Sequence, residues 1–545
     1  MNTYEYDVVI IGAGHNALVT AGYLAKSGLS VGILERTAFV GGGAGTFPSP
    51  FHPGFLHEYH SQFHRNIPNL PWYKDLDLGR YGLDYIYPPV NNGMPLSDGR
   101  CLIVHADPAE TKKSIDRFSK KDGERYWDIY HKYGEMGKNV WFVRDYSPPI
   151  PPDEEMDLLK KSKMGREFLE LNKKSAYDMV HDLFETTALR AFYLFLFSVR
   201  GYLPVPTVKN TGFSIVAMTV MGNKAMLPRG GARQLGQSLS WMVASHGGIF
   251  HTATEVAQII MQNGRAAGVE AVDGRKFMAR KFVISSVDPT QTFLRFIGEK
   301  HLDDNTIQAV KNYKYGVSGK SFGVLFALHA AMKEAPGYTA AKWDPQINQA
   351  FNTCVGYETP EDVIAHLGEV IEGRPTQNIG IQCAIPTLFD PTRAPKGKHV
   401  LLAWQFAPYY VGDKGPEEWD NIKNAYLDKL VARWNEYAPN ISENIIYKFP
   451  QTPPDTERHL INMREGDFHV GALIPEQLGY NRPIPAFSQY RGPVEKLYMT
   501  GSGTHPGGNI TGAPGYNAAK AIFEQEGLEQ WWESPDPRKV WAEMD

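Results

Sequence analysis

Two continuous apolar runs near the N-terminus enclose a glycine-rich turn. Residues 7–11 and 30–34 have the length and composition of buried strands, and the chain between them follows a helical pattern that ends near residue 27. The turn, GAGHNA at 12–17, joins the first strand to the helix, and Glu35 ends the second strand. This order of strand, glycine turn, helix, strand and acid predicts a dinucleotide-binding unit of the Rossmann type.

Farther along the chain, strand-like and helix-like patterns alternate. Residues 107–200 have a charged, helical pattern that a proline-rich loop at 147–152 interrupts. The other predicted elements are strands at 102–105, 281–286, 321–328, 399–406 and 497–499, a hairpin turn at 263–265, and helices at 233–245 and 418–437. The pattern as a whole predicts a mixed α/β protein whose nucleotide-binding segments are interrupted by insertions.

Two apolar segments allow more than one interpretation. We assign the aromatic run at 191–197 to a buried helix or a tunnel wall, with contact at a membrane surface as the alternative. The C-terminal tail contains Trp531, Trp532 and Trp541, and we predict that it forms a surface helix or a docking segment without a catalytic role.

Each residue type in the first turn has a physical reason to be there. Gly12 permits the tight turn, Gly14 lets the backbone approach a pyrophosphate, and Ala17 is small enough for close packing of the helix on the strand. The N–H groups at the helix start, at His15 and Asn16, would face the phosphates. Glu35 is placed to bind ribose hydroxyls, and its charge argues against a 2′-phosphate and so against NADP.

Two further glycine-rich turns change the expected cofactor from NAD to FAD. After Arg36, the turn GGGAG at 41–45 can pack against a larger cofactor, with a flexible loop as the alternative. A third turn, at 500–515, follows an apolar strand and leads into a helix of small residues, so its N–H groups can stabilise negative charge at the pyrimidine end of a flavin. The candidate cofactor-binding residues are Arg36 before the second turn, Gly42, Gly43 and Ala44 within it, and Gly501, Ser502, Gly512 and Ala513 in the third turn.

Composition narrows the class of protein. A chain of 545 residues should contain more than one domain or large insertions, and 42% hydrophobic with 21% charged residues indicates a globular protein. The net charge of -4 gives no reason to expect nucleic acid as a partner. The cysteines Cys101, Cys354 and Cys383 are far apart, which predicts neither disulfides nor a zinc site. With no leader and no apolar run of about 18 residues, we expect a cytoplasmic protein, with membrane association as the alternative.

A histidine-rich stretch at 51–64 contains the second group of candidate catalytic residues. Ser61 stands where the HExxH zinc motif requires histidine, so we predict no metal site there. His57, Glu58 and His60 could form a polar wall that faces the flavin, or simply pack within a loop. His505 and Tyr516 lie on the third glycine turn and its helix, and we place them first as candidate bases, although a purely structural role is an alternative for each residue.

Taken together, these motifs resemble the flavin-dependent phytoene-dehydrogenase-like family, which includes carotenoid desaturases, ketolases and animal pyridine nucleotide-disulphide oxidoreductase domain proteins. The resemblance rests on residues 12–17, 35–36 and 41–43, on LPRGG at 227–231, on SVDP at 286–289, and most specifically on 500–519. It implies an α/β fold of the amine-oxidase type, a Rossmann-type FAD-binding domain with an inserted α+β substrate domain. It also implies that Val256 lies near the adenine and that Ser286 and Asp288 contribute to the FAD site.

The resemblance, with the interruptions of the pattern, divides the chain into five segments. We expect the FAD-binding domain at 1–105, 222–300 and 491–545, a helical insertion at 106–221 and a substrate-binding domain at 301–490. No motif in the substrate half matches a carotenoid pocket, and the oligomeric state leaves no signal in the sequence.

The predicted activity is dehydrogenation of an apolar or ring-bearing small molecule, in which a CH–CH unit becomes C=C by hydride transfer to flavin N5. Reduced flavin would pass its electrons to oxygen or a quinone. Oxidation of an amine or alcohol and redox-neutral isomerisation are the alternative reactions. A non-catalytic scaffold is the remaining alternative, which the cofactor motifs at both ends of the chain disfavour.

Overall fold

The computed structural model describes residues 2–200, 205–316 and 322–544. Residue 321, the first of the predicted strand 321–328, lies outside the described residues. The strands are β1 (Thr3–Ile11), β2 (Val31–Leu34), β3 (Thr46–Pro48), β4 (Leu56–Glu58), β5 (His64–Arg65), β6 (Tyr85–Ile86), β7 (Val90–Pro95), β8 (Cys101–His105), β9 (Ala225–Pro228), β10 (Ile249–His251), β11 (Val256–Gln262), β12 (Arg265–Ala271), β13 (Lys276–Ser285), β14 (Phe322–Met332), β15 (Asn352–Val355), β16 (Ile381–Ala384), β17 (His399–Pro408), β18 (Ile445–Gln451) and β19 (Leu497–Met499).

The helices follow most of the predicted helical segments. They are α1 (His15–Lys26), α2 (Pro71–Asp75), α3 (Pro108–Asp116), α4 (Lys120–Lys132), α5 (Gly134–Met136), α6 (Val143–Asp145), α7 (Pro152–Lys161), α8 (Lys163–Asn172), α9 (Ala176–Leu183), α10 (Thr187–Arg200), α11 (Phe213–Met221), α12 (Arg233–Ser245), α13 (Asp304–Lys311), α14 (Pro360–Ile371), α15 (Glu418–Tyr437), α16 (Ile441–Asn444), α17 (Pro453–His459), α18 (Ala513–Glu526) and α19 (Pro537–Glu543). A π-helical segment, Gly137–Phe142, joins α5 to α6.

The first sheet has the order β10-β2-β1-β13-β12-β11, and β19 also pairs with β13. β1 lies parallel to both β2 and β13, and the C-terminal end of β13 lies parallel to β19. The predicted turn at 263–265 connects β11 and β12 as an antiparallel hairpin. One Rossmann-like sheet is therefore built from three separated pieces of chain, which confirms the predicted fold class.

Side chains of β1 alternate between two apolar clusters. Val8 and Ile10 pack with helices α1, α12 and α18, whereas Val9 and Ile11 pack with the β11–β12 hairpin on the opposite face. A strand buried on both faces must be apolar along its length, because successive side chains point to opposite sides. This explains why the N-terminal run lacks the alternation of polar and apolar residues seen in half-exposed strands.

The second sheet has the order β18-β14-β17-β16-β15-β7-β8 and is antiparallel except for the β15–β7 pair. Helix α15 packs into its core through Trp419, Leu430 and Trp434. β7 and β8 lie in this sheet and not in the first one, although the sequence pattern assigns residues 1–105 to the FAD-binding domain. The five domain limits stay predictions.

Helices α3 to α11 form a block around one apolar cluster, with α10 at its centre. The run 191–197 lies in α10 and each of its residues is at most 1% exposed. Burial of this run removes it as a candidate membrane contact. Within the described residues, no helix combines the length and apolar character needed to cross a membrane.

The C-terminal tail contains a surface helix, α19, as predicted, with Arg538, Lys539, Ala542 and Glu543 exposed, but Trp532 and Trp541 are buried. Trp541 in α19 is buried in the helical cluster, where its Nε1 donates to the Asn139 carbonyl at 2.8 Å. The Trp532 ring lies 4.5 Å from that of Tyr23 in α1. The tail therefore connects the helical block to the first sheet's helices.

Candidate cofactor and substrate site

The three glycine-rich turns meet at one edge of the first sheet. Gly12 has a φ of +90°, and Gly14 forms a bridge with Gly41 of the second turn. A Cβ on Gly42 would lie 3.2 Å from the Gly14 Cα. A Cβ on Gly501, whose φ is +88°, would lie 2.8 Å from the carbonyl oxygen of Ser286. The turns approach one another so closely that only residues without side chains satisfy both the backbone angles and the spacing.

The N-termini of α1 and α18 converge on the same edge. His15 Nε2 lies 3.2 Å from the Asn509 carbonyl oxygen, and Asn16 Nδ2 donates to Ser502 Oγ at 3.5 Å. The two helices cross at Gly515, where a Cβ would lie 2.1 Å from the Asn16 carbonyl oxygen. Two positive helix ends thus point to one place, an arrangement suited to anionic groups such as a pyrophosphate.

The start of α1, like that of α18, has no side-chain cap. Ser119, Ser162, Ser175 and Thr359 cap α4, α8, α9 and α14 through side-chain hydrogen bonds, whereas Gly14 offers α1 no side-chain cap. The Oδ1 atom of Asn16 is buried and has no hydrogen-bond partner among the described residues. An uncapped, glycine-lined helix start with an unpaired polar atom fits a dinucleotide cofactor.

Glu35 follows β2 and lies beside the first turn. Its carboxylate accepts hydrogen bonds from Ala13 N at 3.0 Å and from Thr37 N and Oγ1 at 2.8 and 2.9 Å. A carboxylate has about four lone-pair sites, so capacity remains on the Oε2 side for a ribose hydroxyl. The Thr254 N–H donates to the Glu35 carbonyl, which brings the predicted adenine residue Val256 to the same region.

The remaining predicted cofactor residues lie around these turns. The Arg36 guanidinium donates to the His459 carbonyl at 3.0 Å. Ala44 is fully buried, and a Cβ on Gly43 would lie 2.6 Å from Met463 Cε. At the start of α18, Gly512 has a φ of +67° and Ala513 N donates to Thr511 Oγ1 at 3.3 Å.

Asp288 supports the turn that contains Ser286. Its Oδ1 accepts hydrogen bonds from Thr290 Oγ1 at 2.6 Å and from the Tyr315 hydroxyl at 2.7 Å. A Cβ on Gly503 would lie 2.9 Å from Pro289 Cδ, so this turn contacts the third glycine turn. The carboxylate is thus engaged by its own turn and by Tyr315, and the contribution of Asp288 to a cofactor site would be to shape the backbone.

A wall of histidines and aromatic rings directly follows the second glycine turn. The β3–β4 hairpin supplies Phe47 and His57, and the second sheet supplies His329 and Phe449. The rings of His329 and Phe449 stack at 4.7 Å, and that of His57 lies 5.2 Å from Phe449. The Tyr59 ring stacks on Phe47 at 4.4 Å.

Side-chain hydrogen bonds connect the histidines of this wall. His329 Nε2 lies 3.1 Å from Gln451 Oε1, and Gln451 Nε2 lies 3.4 Å from His60 Nε2. His57 Nε2 lies 2.9 Å from the Tyr447 hydroxyl. Burial lowers the pKa of His57 and His60 to about 3 and that of His329 to about 4. These imidazoles are therefore neutral near pH 7, and the wall presents polar atoms without charge.

Glu58 forms a buried ion pair. Its carboxylate lies 2.7 Å from the Arg393 guanidinium, and both side chains are 1% exposed. It also accepts from Thr46 Oγ1 at 2.6 Å and from Ala232 N at 3.0 Å. Burial raises the pKa of Glu58, which the arginine opposes. These contacts join the hairpin to the loop after β9.

The two candidate bases of the C-terminal segment lie in different surroundings. His505 is buried, its Nε2 lies 2.9 Å from the Arg144 carbonyl, and its Nδ1 has no partner among the described residues. Burial lowers the pKa of His505 to about 4. The Tyr516 ring packs 5.6 Å from that of Tyr23, and its hydroxyl donates to the Glu533 carbonyl at 3.1 Å. His505 thus keeps an unpaired lone pair, whereas Tyr516 faces the tail.

Sequence reasoning did not identify a segment that touches the second and third glycine turns and the turn of Asp288. Residues 459–482 contain Met463 against Gly43, Asn462 bonded to the Asp288 N–H, and Arg482 bonded to Ser502. Nothing local in the sequence marks this segment, because its contacts are with residues far away in the chain. Among the described residues, no cluster of three or more His, Cys, Asp or Glu side chains has the arrangement of a metal site.

Comparison with known proteins agrees with this geometry. Residues 10–76 match the model of an NAD(P)-binding Rossmann-like domain. The chain is 32% identical over 546 residues to one of the subunits of limonene dehydrogenase from Castellaniella defragrans, and the match covers 98% of this chain and 97% of that protein. It is also 23% identical to phytoene desaturase of Fusarium fujikuroi, over 96% of this chain and 90% of that protein.

The chain belongs to the phytoene-dehydrogenase-like family of flavin-dependent oxidoreductases. The predicted family, enzyme class and FAD cofactor are thereby confirmed. A solved structure of putrescine oxidase bound to putrescine superimposes with a TM-score of 0.60 at 15% identity, covering 97% of this chain and all of that one. At that identity the likeness supports the fold alone, and it agrees with the predicted amine-oxidase architecture.

Proposed function

We propose that this family member dehydrogenates an apolar or ring-bearing small molecule, converting a CH–CH unit into C=C. The observation that supports this most directly is the uncharged wall of His57, His60, His329 and aromatic rings beside the second glycine turn. Such a surface suits a hydrocarbon, because pockets for small molecules combine mostly apolar walls with few polar groups. The relatives named limonene dehydrogenase and phytoene desaturase support the same substrate class.

In this proposal the three glycine turns bind FAD. Gly12, Gly14 and the α1 start with His15, Asn16 and Ala17 hold the pyrophosphate, Glu35 holds the ribose, and Val256 lies towards the adenine. The residues assigned to the remaining part of the cofactor are Arg36, Gly42, Gly43, Ala44, Ser286, Asp288, Gly501, Ser502, Gly512 and Ala513. Bound FAD supplies a hydride acceptor, whose electrons pass on to oxygen or a quinone.

The protein's own side chains orient the substrate and take up the proton. As the double bond forms, one carbon loses a hydride and its neighbour loses a proton. His505 is our first candidate for the base, because its Nδ1 lone pair is unpaired and its pKa of about 4 keeps it neutral. His57 and His60 are the next candidates. The contacts of Glu58 and Tyr516 support a structural role for both of them.

Oxidation of an amine is the second candidate, since the fold is also that of putrescine oxidase. An ammonium substrate needs compensating negative charge, and the Glu58 carboxylate in this region is already paired with Arg393. The wall therefore favours an uncharged substrate.

We place the reaction in the cytoplasm.

An anaerobic substrate screen tests the proposal. Purified holoenzyme is mixed with a cyclic monoterpene, a linear polyene, a primary amine and a secondary alcohol, and absorbance near 450 nm is followed. We expect bleaching with a hydrocarbon and a product that is two mass units lighter. Bleaching only with the amine or the alcohol, with an imine or carbonyl product, would show a different reaction. Turnover without flavin bleaching and without a mass change would indicate isomerisation.

A further inference from the structure

Arg482 is a buried cation that makes its hydrogen bonds to neutral groups. The side chain has 0% exposure, and its guanidinium donates to the carbonyl oxygens of six residues. The shortest contact is Nη2 to Ser502 at 2.7 Å, and the other acceptors are His469 at 3.0 Å, Val470 and Gly471 at 3.2 Å, Ala472 at 3.3 Å and Gln477 at 3.5 Å. A guanidinium remains charged in proteins, so a positive charge lies inside the molecule.

The neighbouring acid is occupied by other donors. Asp467 accepts hydrogen bonds from the backbone N–H groups of Gly316, His469 and Gly471 at 2.8 to 3.0 Å. Burial raises the pKa of Asp467, and Arg482 opposes that rise. The carboxylate therefore offsets the arginine charge at a distance and does not neutralise it by a direct ion pair.

This charge lies directly beneath the third glycine turn. A Cβ on Gly507 would lie 3.5 Å from Arg482 Nε, and a Cβ on Gly508 would lie 2.6 Å from the Cα of His469, a residue that Arg482 also holds. In a trans peptide the C=O and N–H groups point in opposite directions. Because the Ser502 carbonyl points to Arg482, the following N–H, that of Gly503, points away from the arginine.

We propose that Arg482 is a positioning residue that raises the reduction potential of the flavin. It does so by placing a buried positive charge and an oriented peptide behind the turn that binds the flavin ring. Reduction adds negative charge to the cofactor, and a fixed positive charge in a medium of low dielectric constant stabilises the reduced form more than the oxidised form. This inference rests on the proposed place of FAD at the third turn.

Redox titration of reconstituted holoenzyme without substrate tests the inference. Arg482→Gln should lower the midpoint potential by at least about 30 mV. For a two-electron couple, this shift means that reduced flavin binds tenfold more weakly relative to oxidised flavin. Arg482→Lys keeps the charge and should stay near the wild-type potential even if flavin content falls. The surface variant Arg117→Gln, which loses an ion pair with Asp344 and contacts with Trp343, is the control for a charge change elsewhere.

A second variant covers the case in which Arg482→Gln does not fold. Asp467→Asn removes the nearby negative charge, so its potential should rise above that of the wild type. Equal potentials in all variants, with only the flavin content lowered, would overturn the inference and show that Arg482 has a purely structural role. That result would leave the proposed reaction intact, because the substrate screen uses the wild type. Failure of the wild type to bind FAD would overturn both.

Discussion

At the scale of single residues, the buried ion pair of Glu58 and Arg393 allows a test of whether Glu58 has a structural or a catalytic role. Removing one partner leaves an uncompensated buried charge, so Glu58→Gln should lower the free energy of unfolding by about 3–5 kcal/mol, as measured by urea denaturation. Glu58→Gln combined with Arg393→Met removes both charges and should recover much of that loss. If the double variant also recovers turnover, Glu58 is not a base. Full stability without turnover would support catalysis by Glu58.

The neutral histidines predict a pH dependence of stability. The pKa of His329 is about 4 in the folded protein and about 6.5 when unfolded. Between these values the unfolded chain binds the extra proton, so stability falls as the pH falls from 6.5 towards 4. His329→Gln should reduce the slope of the unfolding free energy by about 1.4 kcal/mol per pH unit. His301→Gln, at an exposed histidine, should leave it unchanged, and equal slopes for both variants would contradict the burial argument.

The glycine turns act at the scale of the element, because they set how closely strands and helices approach. Gly501 and Gly28 share a positive φ, but a Cβ would lie 2.8 Å from the Ser286 carbonyl oxygen only at Gly501, whereas nothing lies within 4 Å of Gly28. Gly501→Ala should therefore lose most bound flavin, measured as the ratio of absorbance at 450 to 280 nm. Gly28→Ala, which bears similar backbone strain, should retain it. Equal flavin content in both would show that the turn tolerates a side chain.

The same elements explain what the sequence could predict. Gly12, Gly42 and Gly501 were identifiable because a positive φ and a close backbone approach are local demands that one residue type meets. Arg482 and His329 were not identifiable in this way. The partners of Arg482 lie within residues 459–482 and in the third glycine turn, and those of His329 lie on the β3–β4 hairpin and the second sheet, which meet only in the folded chain. Whether a tryptophan such as Trp541 is exposed also depends on tertiary packing, so the sequence predicted the helix of the tail but not the burial of its tryptophans.

At the scale of the whole molecule, the C-terminal tail joins the helical block to the first sheet. Trp541 is 1% exposed within the helical cluster, and Trp532 packs on Tyr23 of α1. Trp541→Ala should leave a cavity and lower the free energy of unfolding by about 3–5 kcal/mol. Trp241→Ala is the matched control, because that tryptophan is 55% exposed and its loss should cost well under 1 kcal/mol.

The effect of Trp541→Ala on the flavin-binding turn can be measured separately from its effect on overall stability. Because α18 of the third glycine turn packs on α1, loosening the tail should weaken the turn that holds the flavin. We therefore expect Trp541→Ala to release flavin at a lower temperature than the wild type, followed by flavin fluorescence during heating, and to release it before the helices melt in far-UV circular dichroism. Release and melting at one shared temperature would instead mean that the tail stabilises the molecule as a single cooperative unit, with no separate effect on the cofactor turn.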